Sequence, residues 1–280
     1  MRAFISGLVL ATLASAAPHT APRDVSKFGC ATEPTKEFLA VAAKMHQAEV
    51  SGKMSSIQAT INVPTYFHVV AASTSVADGY ISDATLQQQL AVMNSNYAPY
   101  GIAFQLAGTD RTINSQWAND NNEMAMKRAL RKGTYSSLNV YFQKSLGGNL
   151  GYCYFPTNAS PGSTAYIQDG CTVLAASVPG GSATNYNQGK TATHEIGHWF
   201  GLLHTFQGGC SGSGDSVADT PAQSSPTSGC PEGRDSCPNN AGLDPIHNYM
   251  DYSYDSCYRE FTPGQQTRAY NMYNQYRAGK

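Results

Sequence analysis

The 280-residue sequence has few charged residues and almost no net charge. Charged side chains make up 13% of it, about half the share usual in soluble proteins. Because 18 basic residues stand against 19 acidic ones, neither a nucleic-acid partner nor an anionic membrane is expected. The composition of disordered chains is absent too, since 41% of the residues are hydrophobic and the net charge is small. We therefore expect a folded, globular chain.

Long apolar runs are missing as well. No segment reaches the roughly 18 consecutive apolar residues of a membrane-spanning helix, so no membrane partner is expected. A short apolar stretch at 4–13 follows the basic residue Arg2 and precedes small residues at 14–17. This pattern is typical of a secretory signal peptide, with a buried N-terminal helix as the alternative. We expect a signal peptide over 1–17 and a secreted, extracellular protein.

Cysteine occurs in an odd number. Of seven cysteines, Cys30 stands alone near the N-terminus and six lie between 153 and 257. Exported cysteines usually pair, which predicts three disulfides and one thiol with another role. Residues 207–247 are rich in Gly, Ser, Pro, Asp and Asn, and a loop tract of that length needs disulfides or metal ions to hold it.

Strand and helix patterns alternate between residue 61 and about residue 200. Before them, residues 18–60 have few β-branched or aromatic side chains, and a helix over 36–49 would have no position that demands burial. We interpret 18–60 as a pro-segment. Candidate strands lie at 65–70, 102–106, 138–142 and 171–175, and candidate helices begin at Ser82 and span 122–130. The alternation predicts a mixed α/β layer architecture.

The residues that carry chemistry lie together at 194–204, in the order His-Glu-Ile-Gly-His-Trp-Phe-Gly-Leu-Leu-His. In a helix, His194 and His198 point the same way, about 6 Å apart, which suits two imidazole ligands of Zn²⁺. His204 reaches the same ion only if the helix ends first. Gly201 allows that turn, because glycine adopts positive φ without a steric cost.

Three histidine ligands leave the fourth tetrahedral position of zinc for water, which is the arrangement of a catalytic site. Glu195 directly follows the first ligand and is placed to accept a proton from that water. The alternative, a helix with histidines on its surface, does not account for Glu195, Gly201 and His204 together. One catalytic Zn²⁺ is therefore the expected cofactor.

The pattern His-Glu-x-x-His-x-x-Gly-x-x-His is the zinc signature of the metzincin proteases. Residues 248–253, Asn-Tyr-Met-Asp-Tyr-Ser, resemble the Met-turn that follows it in metzincins. With Asp219-Thr220-Pro221 and Cys257 in addition, the sequence resembles the pappalysin-type family, peptidase family M43, and its secreted fungal extracellular metalloproteases.

The resemblance covers roughly 60–280 and implies a catalytic domain over 61–280 with a metzincin-type α/β (α+β) fold. Its upper subdomain, about 61–201, would hold a mixed twisted sheet, a backing helix and an active-site helix above the cleft. Its lower subdomain, about 202–280, would be irregular and disulfide-bonded.

The same resemblance implies roles for particular residues. His194, His198 and His204 match the zinc ligands, Glu195 matches the general base, and Met250 matches the methionine packed beneath the metal. These assignments agree with the roles that the spacing at 194–204 predicts.

Two further residues follow Met250. Tyr252 matches a tyrosine that stabilises the oxyanion of the tetrahedral intermediate, and a phenol near a metal can donate such a hydrogen bond; a plain core tyrosine is the alternative. Asp255 stands where the family can place an acidic group at the floor of the S1′ pocket, which would favour a basic residue after the scissile bond. A solvated loop acid is the alternative for Asp255.

The resemblance implies two disulfides in the lower subdomain, Cys210–Cys237 and Cys230–Cys257. This leaves Cys153 and Cys171, both beside strand candidates, as a third pair.

Other binding features lie in loops. Relatives bind calcium near the lower loop, where Asp215, Asp219 and Thr220 offer oxygen ligands suited to Ca²⁺; a turn held by Asx hydrogen bonds is the alternative. Asn158 begins an Asn-Ala-Ser glycosylation sequon.

The expected function is a secreted, monomeric zinc endopeptidase that hydrolyses extracellular proteins, for protein assimilation and as an aid to host invasion. An edge strand near 173–176 would pair with extended protein or peptide substrates. A gluzincin is disfavoured, since His204 stands in place of that group's distant Glu ligand. A non-catalytic zinc-binding adhesion or inhibitor module would lack Glu195 or the Met-turn.

Cys30, the odd cysteine, has a special place in this interpretation. A pro-segment thiolate is a good fourth ligand for zinc, at about 2.3 Å, and would displace the water and silence the enzyme during export. Some family members use such a cysteine switch, although the residues at 27–32 differ from their Arg-x-Cys-Gly pattern. A free thiol removed with the pro-segment and an intermolecular disulfide are the alternatives.

Overall fold

The computed structural model describes residues 29–52 and 59–280. The predicted signal peptide at 1–17 lies outside the described residues, as do residues 18–28 and 53–58 of the predicted pro-segment. In the described part of the chain, no helix is both long and apolar enough to cross a membrane.

Helices and strands alternate up to residue 199, and one further helix lies near the C-terminus. The helices are α1 (Lys36–Val50), α2 (Asp83–Tyr97), α3 (Ser115–Ala118), α4 (Glu123–Leu130), α5 (Thr164–Gln168), α6 (Lys190–Trp199) and α7 (Pro263–Tyr276). The strands are β1 (Ile61–Ala71), β2 (Ile102–Ile113), β3 (Leu138–Gln143), β4 (Gly151–Cys153) and β5 (Cys171–Leu174). The predicted mixed α/β class is confirmed, and the four predicted strands correspond to β1, β2, β3 and β5.

The strands form one sheet in the order β2-β1-β3-β5-β4. β1 is parallel to β2 and β3, and β3 is parallel to β5, whereas β4 is antiparallel to β5 and forms an edge. Val140 and Phe142 of β3 face the main core, to which α2 and α6 contribute, while Tyr141 packs on the other face with Met126 of α4. Strands between two helical layers are buried on both faces, which explains why all of β3 is buried.

Helix α1 departs from the sequence prediction, which gives it no position that demands burial. Its side chains Phe38, Ala42 and Met45 are buried, and they belong to one apolar cluster with Leu203 and Met272. The prediction is wrong because three apolar residues on one face of a helix are enough to bury that face when the rest of the domain presents an apolar surface to it.

Two elements that position the site are absent from the sequence prediction. Helix α7 begins with a capping box, in which Thr262 and Gln265 each bond the other's backbone N–H, and Pro263 occupies its first turn. These signals are visible in the sequence and could have predicted the helix. Strand β4 has three residues, which is too short to show an alternating pattern.

Disulfides hold the segments without regular structure. No helix or strand lies between Phe200 and Phe261, in agreement with the predicted loop tract, and two bonds cross-link it, Cys210–Cys237 and Cys230–Cys257. The third bond, Cys153–Cys171, joins directly paired residues of β4 and β5 and so fixes the sheet edge. All six later cysteines are therefore paired, and Cys30 is free.

A buried ion pair attaches the C-terminus to the end of α6. Arg277, which has no exposed surface, donates to Asp169 Oδ1 at 2.8 Å and to the carbonyl oxygen of Trp199 at 3.1 Å. Its guanidinium lies 3.8 Å from the centre of the Trp199 ring, whose Nε1 donates to Asp169 Oδ2 at 3.2 Å. Because Trp199 directly follows His198, this cluster fixes the C-terminal end of α6.

Replacing Arg277 by Met should lower the free energy of unfolding by about 3 kcal/mol, because it leaves the buried Asp169 carboxylate without its strongest partner. Urea-induced unfolding, followed by tryptophan fluorescence, measures the change. Arg128→Met is the matched control, since Arg128 is an exposed side chain of α4 and should change stability by less than about 0.5 kcal/mol. Equal stability of the two variants would contradict the role given to the ion pair.

Candidate active site

Helix α6 and the turn after it bring the three predicted histidines together. The helix ends before Gly201, which adopts φ +88°, as the sequence predicts, and the turn returns His204 to the other two. His198 Nε2 lies 3.2 Å from His194 Nε2 and 3.1 Å from His204 Nε2. Both helical histidines are fully buried, and His204 nearly so.

Hydrogen bonds orient the helical imidazole rings. The Nδ1 of His194 lies 2.7 Å from the carbonyl oxygen of Tyr249, and that of His198 lies 2.8 Å from the carbonyl oxygen of Leu202. Since a carbonyl only accepts, the ring proton sits on Nδ1 in both, and Nε2 is the unprotonated nitrogen. Burial lowers the pKa of all three histidines, that of His198 to about 4, so the rings have the neutral form that binds metals.

The donor atoms have the spacing of a zinc site. Tetrahedral bonds of the usual lengths separate two nitrogen ligands by about 3.3 Å, and a nitrogen from a sulfur by about 3.5 Å. The Nε2 separations are within about 0.2 Å of the first value, and Cys30 Sγ lies 3.5 Å from His198 Nε2. The ligand atoms of Cys30 and the three histidines all lie within 4.8 Å of one another. Three imidazoles and one thiol therefore fit a single Zn²⁺.

Glu195 faces the same centre and is covered by the N-terminal segment. Its Oε2 accepts from the Cys30 thiol and from the Thr32 hydroxyl, each at 3.3 Å, and its Oε1 has no hydrogen-bond partner among the described residues. Burial raises its pKa to about 8, and the bonds from Cys30 and Thr32 oppose this. A Cβ at Gly151 of β4 would stand 2.6 Å from the Glu195 side chain, so the close approach requires glycine there.

The Met-turn lies beneath this centre. Met250 is fully buried in the main core, and its side chain packs against Gly197 of α6. The Tyr252 hydroxyl lies 3.3 Å from His204 Nε2 and donates to the carbonyl oxygen of Cys30 at 3.3 Å. Burial raises the pKa of Tyr252, which keeps its phenol protonated as a donor.

Strand β4 borders the cleft and carries an extended segment. The backbone N–H of Leu150 donates to the carbonyl of Gly29 at 2.6 Å, and that of Ala31 donates to the carbonyl of Gly151 at 3.0 Å. The expected substrate edge at 173–176 is wrong, because β5 already pairs on both sides, with β3 and β4. The edge strand at the cleft is β4, which sequence patterns do not predict.

Gln223 joins the third histidine to the Met-turn, a role that sequence reasoning misses. The fully buried Gln223 accepts from the hydroxyl of Thr205, the residue after His204, at 2.8 Å, and donates to Asp251 Oδ1 at 2.9 Å. Thr227 completes the network through its backbone N–H, 3.0 Å from Asp251 Oδ1. A lone glutamine in a Ser- and Pro-rich loop gives no sequence signal of this contact.

Asp255 is buried beside the start of α6. Its Oδ2 accepts from the backbone N–H of Gln188 at 2.7 Å, while its Oδ1 has no hydrogen-bond partner in the described part of the chain. Burial raises its pKa to about 6. Asp255 is thus a fully buried carboxyl group, one oxygen of which is unpaired among the described residues.

The remaining predicted residues lie away from the histidines. Asp219 caps α7, where it accepts from the hydroxyl of Thr262 at 2.7 Å and the N–H of Gly264 at 2.9 Å. Asp215 is buried, accepts from the N–H of Val217 at 2.9 Å, and has its pKa raised to about 7 by burial. Thr220 directly follows Asp219 in the chain. Asn158 is exposed and lies outside any helix or strand.

Comparisons with known proteins agree with this geometry. A sequence profile of the peptidase family described as Pregnancy-associated plasma protein-A matches residues 120–274. The extracellular metalloprotease of Colletotrichum graminicola is 62% identical, over 96% of this chain and 98% of that protein. Extracellular metalloprotease 1 of Coccidioides posadasii is 60% identical over the full length of both.

Solved structures are similar too. Mature mirolysin of Tannerella forsythia, in complex with a cleaved peptide, superposes with a TM-score of 0.64 at 30% identity, over 78% of this chain and 93% of that one. A promirolysin mutant of the same organism superposes with a TM-score of 0.70 at 27% identity, over 88% of this chain and 94% of that one.

Gln223→Ala should weaken the retention of zinc by about tenfold, because groups behind metal ligands typically contribute that much to affinity. Zinc content after dialysis against graded concentrations of a competing chelator measures the change. Ser224→Ala, an exposed neighbour, is the control and should retain zinc as the unaltered protein does. Equal retention by both variants would show that the network does not position His204.

Proposed function

The chain belongs to the M43 peptidase family and is a zinc metalloendopeptidase that acts on proteins or peptides, and on this premise we propose that it is exported as a precursor that blocks its own active site. The observation that carries the proposal is the position of the Cys30 thiol, whose sulfur lies within 4.8 Å of the ligand nitrogens of the three histidines. The non-catalytic alternative is not favoured, because Glu195 and the Met-turn are both present.

We propose a signal peptide at 1–17, a pro-segment at 18–60 and a catalytic domain at 61–280. The described part of this pro-segment lies on the catalytic domain, from the cleft to α7. Promirolysin matches 88% of this chain, whereas mature mirolysin matches 78%, and the difference supports an additional segment in the precursor. The relatives named extracellular metalloproteases support secretion. An enzyme of this kind would act as a monomer in protein assimilation and host invasion.

His194, His198 and His204 are the proposed zinc ligands. Bound there, Zn²⁺ would supply a Lewis acid for the scissile carbonyl and lower the pKa of a coordinated water toward 7. Met250 packs behind the ligands and keeps the floor of the site apolar. The carbonyl groups of Tyr249 and Leu202 keep the helical ligand rings oriented.

Glu195 is the proposed general base. With Cys30 and Thr32 withdrawn, its Oε2 is open to the attacking water, from which it takes a proton that it later gives to the leaving amine. Tyr252 is the proposed oxyanion donor. Its hydroxyl already donates to a backbone carbonyl oxygen in the cleft, that of Cys30, which is the contact a substrate carbonyl would receive.

Substrate would bind to the edge of β4. Ala31 already forms a main-chain hydrogen bond with Gly151 of this strand, and Gly29 forms one with Leu150 just before it, so the edge accepts an extended peptide by strand addition. The precursor is latent in this proposal because its own segment occupies that edge, the metal and the base together.

Two further features extend the proposal. Calcium would bind at Asp215 and Thr220, with Asp219 nearby; both oxygens of Asp219 already accept hydrogen bonds from the start of α7, so an ion that also bound Asp219 would share them with that helix. Asn158 is a proposed glycosylation site, since the sequon is exposed.

Cys30→Ala in the full-length precursor should produce casein hydrolysis before any cleavage of the chain, and a mercurial should activate the unaltered precursor in the same way. Cys30→Ala/Glu195→Ala is the matched control. It should bind one zinc and keep the fold but cleave casein at under about one per cent of the rate of the single variant, since Glu195 is assigned to proton transfer and not to ligation. A single variant that stays latent until its pro-segment is cut would refute the thiol switch, and a double variant that cleaves casein would refute the base.

Asp255 is the proposed floor of S1′, and Asp255→Asn should lower the preference for Arg or Lys over Leu at P1′ by about tenfold or more, since it removes a charge-assisted contact. Because burial raises the pKa of Asp255 to about 6, the carboxylate forms as the pH rises through that value. The preference of the active enzyme should therefore grow with pH across this range. Cleavage profiling of a peptide library at several pH values tests both effects, and an unchanged preference in the variant would exclude Asp255 from the pocket.

A further inference from the structure

Helix α1 rests on a surface of the catalytic domain that adjoins the metal site. Phe38, on the inner face of α1, stacks on Phe155 with ring centres 4.1 Å apart. Phe155 in turn contacts the His198 ring edge to face, at 5.4 Å. The floor beneath α1 is completed by three buried residues that share its apolar cluster, Leu203, Met272 and Tyr276.

A buried ion pair holds the other end of α1. Glu49 Oε2 accepts from Arg268 Nη2 at 2.8 Å, and Glu49 Oε1 accepts from Arg268 Nε and from Asn271 Nδ2, each at 3.0 Å. The side chain of Arg268 is fully buried and that of Glu49 is 12% exposed. Arg268 also donates to the carbonyl of Ser216, while its Nη1 has no partner among the described residues. A buried guanidinium therefore depends on Glu49 for its paired carboxylate.

The residues of α1 that make these contacts follow a helical spacing. Phe38, Ala42, Met45 and Glu49 are separated by four, three and four positions, so they form one stripe along the helix. An apolar stripe that ends in a carboxylate matches an apolar floor that ends in a guanidinium. The charge at one end gives this surface a preference for helix direction and register as well as for hydrophobicity.

We propose that Leu203, Arg268, Asn271, Met272 and Tyr276 form a docking site for the pro-segment helix, and that this site anchors the helix to the catalytic domain without the thiol–metal contact, although only that contact closes the cleft. The inference rests on the proposed latency of the precursor and adds a second anchor to it. Docking of α1 raises the local concentration of Cys30 at the metal centre, as any tethered second contact does. The partner for which the site is selective is an amphipathic helix with this apolar stripe and a carboxylate at its C-terminal end.

The reactivity of Cys30 in the full-length protein tests this anchor, because the other six cysteines are in disulfides. The rate of its reaction with a thiol reagent is measured for the unaltered protein, for Glu49→Gln and for Glu37→Gln. Glu37 is an exposed carboxylate of the same helix and supplies the matched control. Each protein is measured with one equivalent of zinc and again with excess chelator, so that docking is separated from metal binding.

In the chelator-treated proteins, Glu49→Gln should raise the labelling rate of Cys30 by about tenfold or more, because a buried charge loses its partner, whereas Glu37→Gln should leave it unchanged. Equal rates for the two variants would overturn the proposal. Near-UV circular dichroism checks that each variant keeps its tertiary structure. If Glu49→Gln does not, Asn271→Ala, which removes one bond to Glu49, decides instead; it should raise the rate by about threefold, and an unchanged rate would overturn the proposal.

The labelling experiment does not depend on proteolysis. A Cys30→Ala precursor without activity would count against the thiol switch, yet the chelator-treated labelling rates would still report whether α1 is an anchor. Conversely, equal labelling of the Glu49 and Glu37 variants would remove the docking site and leave the thiol switch intact.

Discussion

Three imidazole nitrogens face one another in a buried space, and much of the surrounding structure serves to keep them there. Lone pairs separated by 3.1–3.2 Å repel one another unless a cation lies among them. The arrangement needs a helix that ends before Gly201, so that His204 can turn back to the other two histidines. It also needs the carbonyl groups of Tyr249 and Leu202, from two different segments, to orient the helical rings. The metal site is therefore the place where α6, the turn after it and the Met-turn are fixed relative to each other.

The sequence predicts those parts of the site that depend on interactions between residues close together in the chain. The spacing of His194, Glu195 and His198, and the turn at Gly201, are local, so a single helix and one backbone angle suffice to predict them. The contact of Gln223 with Thr205 and Asp251 joins separate segments of the chain, and no repeating sequence pattern predicts it. The edge position of β4 likewise depends on strand order, which is a property of the whole sheet. The interpretation of α1 fails for the same reason, because its partners all lie more than about 100 positions away in the chain.

The N-terminal segment makes the contacts that the proposed chemistry requires of a substrate. Its backbone pairs with the edge of β4, the carbonyl oxygen of Cys30 accepts from Tyr252, and Cys30 and Thr32 bond to Glu195. One bridge differs from a usual antiparallel addition, since Cys30 pairs with Gly151 in parallel. In the proposed precursor, the N-terminal segment and a substrate would therefore compete for the same atoms, although the N-terminal segment runs parallel to β4 at Cys30.

The disulfide between Cys153 and Cys171 has a consequence for substrate affinity. A strand of three residues at a sheet edge has few hydrogen bonds of its own and would fray if it were attached only by them. The covalent bond to β5 removes that freedom before any peptide arrives, so the conformational entropy of ordering the edge is lost during folding and not during binding. In a reducing environment the disulfide would break, and β4 would regain this conformational freedom in the unbound protein. Reduction of this disulfide would therefore weaken peptide binding first, while the histidine cluster stays unchanged.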